Sequence, residues 1–429
     1  MSHPSSPQSI APPSKLQAFL FALSLAGYPL IAIFPVVFGV DTQIFTIPYR
    51  AAVLSLSLLA LFFMVRSGTK LFVSKFWIAF AVFWLLYSAR IAYEALFAQH
   101  DLGFAATDYV LITYGVTLIP AAIFAFPPNI WTLERARQLT FFMAVAGLIG
   151  NLATGWENIA LEQAVRFNTE ALNAVSVAAL GSIAVLIGLS NIIADPQPTG
   201  RNVVYKTLIR TIYFLGIVLG LVTIYLSGSR GPLIATGISA MLLLWISSRE
   251  NLRKAAILAL IFIAITTAVL VYGETISSGA LFTRLSSIAT LEDQSDTTRL
   301  ELWQDGTIQF LESPIVGSGL EEKNSQFYPH NIPLEAFMAT GLIGGTCWLI
   351  MLVMALISAL RLLKLPAQYS WIGVIFIHLS LMSLLAGSLW ASASLTHLML
   401  ASMALYFAST RTASALALPP SPRRLRTFP

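Results

Sequence analysis

The stretch YPHNIPLEAFMATGLIGGTCWLIMLVMALISAL, residues 328–360, joins a polar His330-Asn331 pair to a long apolar run. A bilayer-spanning helix takes about 20 apolar residues, and residues 333–360 exceed that length. Eleven further stretches qualify, at about 16–40, 48–65, 74–97, 108–126, 138–154, 171–193, 208–227, 231–248, 255–272, 369–390 and 394–410. Composition agrees: 57% of the 429 residues are apolar and only 10% are charged. A soluble domain carries roughly 25% charged residues. The expected fold is an all-α integral membrane protein with about twelve transmembrane helices.

Charge placement tests that count independently. With the N-terminus inside, 18 of the 25 Lys and Arg residues fall in cytoplasmic segments, among them Arg66, Lys70, Arg253, Lys254, Arg361 and Arg424. Lys/Arg excess in short loops marks the cytoplasm, so both termini are expected there. Dropping one helix inverts every later loop and spoils the bias. The net charge of +5 is thus a basic cytoplasmic face, suited to anionic lipids, added to an acidic outer face. It gives no indication of nucleic acid. Residues 1–15 read as a disordered tail, 16–410 as the membrane domain and 411–429 as a second cytoplasmic tail. The lone cysteine, Cys347, lies in an apolar span and excludes an internal disulfide.

Most loops are short, which concentrates the polar chemistry in the outer segment 273–332. Within it, SDTTRLELWQDGTIQFLES places Leu300, Trp303, Phe310 and Leu311 at spacings suited to one helical face. Ser295 or Asp296 is the expected cap and Ser313-Pro314 the stop. The stretch PIVGSGL that follows is a turn-rich connection. Three other outer positions stand out: Arg230 in YLSGSRGPLIA, Arg166 before FNTEALNA, and the Arg90–Glu94 pair one helical turn apart.

An Arg at a membrane rim suits a phosphate, because its planar guanidinium donates two parallel hydrogen bonds and stays charged. Pro232 and Pro333 each sit just inside a helix start, where the missing N–H costs nothing. Two helix N-termini, with Arg230 and His330, are thereby aimed at the outer face, where free N–H groups favour anions. Plainer readings stand beside these. Arg230 snorkels to lipid headgroups, His330 caps a helix, Arg299 is part of a solvated face, and Arg90–Glu94 is a structural ion pair. His378 and His397 hydrogen-bond between helices. Glu292, Asp293 and Asp296 fit no strong metal pattern and read as solvated loop. The chain has no Walker A, no GxSxG and no His/Cys metal spacing.

SGSRGPLIA, TTRLELWQDG, SPIVGSG and HNIPLEAFMATGLIGG, in that order, resemble the motifs of the bacterial O-antigen ligase and O-antigen polymerase superfamily. The strong part covers roughly 225–345; RFNTEALNA matches an upstream pattern only loosely. The resemblance implies a metal-independent inverting glycosyltransferase of GT-C type, in the bacterial inner membrane with its site on the periplasmic face, needing no cofactor. The implied donor is a glycan on undecaprenyl diphosphate and the acceptor a sugar hydroxyl, on lipid A–core or on a growing glycan. Carried over by motif, Arg230 and Arg299 bind the diphosphate, with Arg166 a looser addition, and His330 acts on the acceptor hydroxyl. Ser229 and Asn331 support them. Rival readings are a repeat-unit polymerase for O-antigen, capsule or exopolysaccharide, a protein O-oligosaccharyltransferase, and a lipid-linked glycan transporter. A transporter usually shows an internal repeat or paired broken helices, and neither is evident.

Overall fold

The computed structural model describes residues 12–97, 102–155, 167, 169, 171–193, 203–248, 260 and 294–417. Within them the chain is all-α, with one isolated bridge, Glu322–Phe327. The helices are α1 (Ser14–Phe38), α2 (Gln43–Arg66), α3 (Phe76–Phe97), α4 (Ala106–Phe124), α5 (Ile130–Thr154), α6 (Ala174–Ile193), α7 (Val203–Leu226) and α8 (Arg230–Ser248). After the undescribed stretch come α9 (Gln294–Glu312), α10 (Ile332–Leu362), α11 (Ala367–Ser383) and α12 (Ala393–Ala417). Eight of these, α1–α7 and α10, hold a segment long and apolar enough to cross a membrane. The protein is an all-α, multi-pass membrane protein. Helices α8, α11 and α12 stand where the eighth, eleventh and twelfth spans are expected. The expected ninth span, 255–272, lies outside the described residues apart from Leu260, as does the first part of the loop that follows it.

Apolar side chains point outward along the spans, for example Phe62 and Val65 on α2 and Val353 on α10. In lipid such side chains need no cover, so helices associate through close packing and polar contacts instead. Helices α6 and α7 meet at Gly181 and Gly220, where a side-chain carbon would come within 2.7 and 2.6 Å of the other glycine's carbonyl oxygen. His397 on α12 joins two wide turns in its neighbours: Nε2 meets Thr117 O at 3.0 Å and Nδ1 meets Ser24 Oγ at 2.6 Å. The carbonyl can only accept, so Nε2 carries the proton and the serine hydroxyl donates to Nδ1. This is the interhelical role expected for it.

Helix α10 runs for 31 residues, about 46 Å at 1.5 Å per residue. The hydrocarbon core needs only about 30 Å. The excess is set apart by a break at Gly341, whose φ of 67° and ψ of −166° are not helical. Leu342 N–H turns to Pro314 O at 2.7 Å, and Met338 O receives Ser318 N–H at 2.8 Å. One bond of the helix ladder is thus exchanged for two bonds to the PIVGSG connection.

Helix α9 forms where the sequence places it and ends before Ser313. It is already formed at Gln294, so neither Ser295 nor Asp296 is its cap. Its inner face also differs from the expected one. Leu302, Gly306 and Gln309 are buried, Trp303 and Phe310 are half-buried, and Leu300 and Leu311 point outward. At the centre of that face is Gly306, where a side-chain carbon would lie in ordinary contact with Leu334, Met338 and Pro329 at 3.4 to 3.7 Å. Helix α9 thus docks on the first turns of α10, with Phe310 edge-on to Phe337 at 5.7 Å between ring centroids.

Candidate functional site

Helix α8 starts abruptly. Gly228 takes a left-handed φ of 61°, and Ser229 O accepts the N–H of Leu233 at 3.4 Å. Arg230 is therefore the first residue of the helix, Pro232 the third, and buried Ser229 the residue before it. Arg230 and Arg299 line one small cavity of about 30 Å³, with Gly228, Ser229 and the α11–α12 loop residues Leu385 and Ala386. Two arginines about 70 residues apart in sequence thus line the same space. Beside it lies a larger cavity of about 200 Å³, sharing Val175 and Ala386 with the first. Its wall is mostly apolar, with Ala179, Ile332, Leu379, Met382 and Leu395, relieved by Ser176, Ser383, Ser392 and Ser394.

His330 does not line the arginine cavity and does not cap α10. The cap is Asn331, whose Oδ1 accepts Leu334 N–H at 3.1 Å while its carbonyl accepts Glu335 N–H at 2.9 Å. His330 precedes the cap with φ of 55°, a left-handed conformation uncommon outside glycine. Holding it costs on the order of 1 kcal/mol, and several contacts impose it. Trp303 Nε1 donates to Pro329 O at 2.8 Å, fixing the residue before it to α9. The imidazole packs on Tyr328, edge-on at 4.7 Å between centroids, and on Phe327 at 5.3 Å.

Electrostatics joins the two halves. Burial pushes the His330 imidazole down to about 4, and the positive charge of Arg299 adds to the effect. Arg299 and Trp303 are one turn apart on α9, so the helix that anchors Pro329 also carries the charge that acts on the imidazole. Burial raises the Tyr328 phenol to about 12, with Glu335 contributing. At neutral pH the site therefore presents a neutral imidazole, a neutral phenol and two guanidinium groups.

Residues 215–349 match the O-antigen ligase family. That segment is similar to an O-antigen ligase domain. No curated protein matches the chain. The similarity supports an O-antigen ligase or polymerase type of function in general, of a glycosyltransferase-like kind. Ser229, Arg230, Arg299, His330 and Asn331 all lie inside the ligase-family segment, and Arg166 lies outside it. Arg166 is also outside the described residues, as are Glu292 and Asp293. Phe167, next to Arg166, is tied by its N–H to Leu226 O at 3.1 Å, four residues before Arg230.

Around these residues the structure adds others that the sequence did not single out with them. Arg90 does approach Glu94, at 3.8 Å, but its principal partners are carbonyls. It donates to Ala339 O at 3.0 Å, Val316 O at 2.9 Å and Gly317 O at 2.6 Å, binding α3 both to α10 just before its break and to the PIVGSG connection. Glu321 accepts from Gly103 N–H, Phe104 N–H and the Tyr109 hydroxyl. Glu335, fully buried on α10, accepts Leu389 N–H at 2.8 Å. A signal for Glu335 was present: an acid inside an apolar span is a candidate functional group by default. The carbonyl partners of Arg90 leave no mark in the sequence.

Proposed function

We propose that the protein moves a glycan from undecaprenyl diphosphate to a saccharide hydroxyl at the periplasmic face, as an O-antigen ligase acting on lipid A–core. The observation that carries this reading is the shared cavity of Arg230 and Arg299, with His330 within the electrostatic reach of Arg299. The acceptor oxygen attacks the anomeric carbon of the donor sugar from the side opposite the diphosphate, so the configuration inverts. The bond from that carbon to the diphosphate oxygen breaks, and the electron pair leaves with the lipid diphosphate. Arg230, Arg299 and the N–H groups at the start of α8 stabilise that charge, so no metal ion is required. His330, neutral at the working pH, takes the hydroxyl proton. The arginine cavity has room for a water or two, so the diphosphate parts the two flexible arginine side chains as it seats. The adjoining apolar cavity suits the first part of the lipid chain.

The test is release of undecaprenyl diphosphate by the purified protein in nanodiscs, without nucleotide or divalent metal. With donor alone a ligase stays idle, and adding lipid A–core yields one transferred glycan. A ladder of longer lipid-linked chains from donor alone would identify a polymerase instead. Transbilayer movement of intact donor with no new glycosidic bond would leave only a transporter.

A further inference from the structure

We propose that Glu335 is a positioning residue for the transfer: its buried carboxyl holds the loop that walls the arginine cavity against the helix start that carries His330. The proposal rests on reading the arginine cavity and His330 as two halves of one site. Glu335 lies one turn into α10, directly after the Asn331 cap, and is 0% exposed. Its Oε2 accepts the N–H of Leu389, while Oε1 is buried with no hydrogen-bond partner among the described residues. Burying a carboxyl for a single hydrogen bond lowers stability rather than raising it. What the bond does is fix a distance.

On one side of it is the loop between α11 and α12. Ala386 in that loop lines both cavities, and Leu385 lines the arginine cavity. Gly387, at φ of 91°, lies against Ile332, the first residue of α10. On the other side are Asn331 and His330, with Tyr328 packed on the imidazole. The loop has other anchors: Ala386 N–H bonds to Met382 O, and Trp390 O accepts from Thr117. Loss of the Glu335 bond therefore lets the wall shift without releasing the loop. A displacement of about 1 Å between reacting groups is enough to cost on the order of 10²-fold in rate.

The experiment compares Glu335→Gln, Glu335→Ala and Glu335→Met in full-length protein in nanodiscs, reading kcat with undecaprenyl-diphosphate glycan and hydrogen exchange of the 384–392 backbone. Gln keeps an oxygen able to accept Leu389 N–H, so it retains kcat within about threefold and native exchange. Ala and Met lose about 10²-fold in kcat and exchange faster over 384–392. Met fills the space of Glu335, so it carries the comparison if Ala does not fold. Gln as slow as Ala and Met would show that the charge itself is needed and overturn the positioning role. Full kcat in Met, or unchanged exchange in it, would overturn it as well. Absence of any transfer by the unaltered protein would instead remove the proposed function; exchange over 384–392 in Gln and Met would then still decide whether Glu335 holds the loop.

Discussion

Gly317 and Gly341 interlock. A side-chain carbon on Gly317 would stand 2.5 Å from Ala339 C, and one on Gly341 would stand 2.1 Å from Ile315 O. Both also have left-handed φ, +76° and +67°, and the ψ of Gly341 places it in a region open essentially to glycine alone. Gly341→Ala combines backbone strain with overlap against a carbonyl, on the order of 3 kcal/mol or more. Thermal unfolding in detergent should show a large loss for each single Ala variant. Because both act on one interface, the double variant should lose less than the sum. Full additivity would mean that the two positions are not coupled.

Arg90 supplies the third member of that lock through its three carbonyl bonds. A lysine there reaches fewer of them and lacks the fork geometry. Arg90→Lys should lower the unfolding midpoint by the equivalent of about 2 kcal/mol and leave binding of inorganic diphosphate intact. Loss of diphosphate binding in a folded Arg90→Lys protein would move Arg90 into the anion site itself.

Arg230 and Arg299, unlike Arg90, line one cavity together. Lys at either position keeps the charge and loses bidentate donation, so transfer should fall by about 10-fold or more for each substitution. Steady-state transfer with unchanged protein yield is the measurement. Near-normal rates for both Lys variants would sink the diphosphate clamp.

The parts of this arrangement legible in the sequence are those set by local pattern. Apolar run length exposes the spans, because a hydrocarbon thickness translates directly into residues. The cap-and-proline order of Asn331-Ile332-Pro333 marks the start of α10 for the same kind of reason. The break at Gly341 was not legible, because glycine is ordinary in membrane helices and the cause is a loop twenty or more residues away closing on it. The face of α9 was set wrongly because Gly306, on which it docks, contributes no apolar side chain to the pattern. Arg230 and Arg299 were each readable as rim cations, but their sharing of a cavity depends on how α8 and α9 pack.

Topology offers an independent check. Ser318, although in the long loop, donates its N–H to Met338 O and has a buried hydroxyl, so it is a poor labelling position. Ser325 and Thr69 are exposed, and the distribution of Lys and Arg puts them on opposite sides. In a Cys347→Ser background, Ser325→Cys should react with an impermeant maleimide from the periplasmic side and Thr69→Cys should not. The reverse pattern would invert the protein.

In the proposed reaction His330 links donor binding to base strength. Its imidazole is held down at about 4 by burial and by the charge of Arg299, against about 6.5 in an unfolded chain. The folded protein therefore resists a proton that the unfolded chain accepts, and this group's contribution to stability is present above pH 6.5 and lost as pH falls toward 4. A diphosphate in the arginine cavity offsets the Arg299 charge and favours imidazolium, so His330 becomes a better base when donor is bound. Ring-labelled histidine NMR, with His330→Gln to assign the signal, should show its titration moving to higher pH on adding inorganic diphosphate. Arg299→Gln should raise the pKa without ligand and shrink the further shift. His330→Ala should lower transfer by about 10²–10⁴-fold while leaving diphosphate binding in place. A His330 signal unmoved by diphosphate, in protein shown to bind it, would separate the imidazole from the anion site and return His330 to a structural residue before a helix cap.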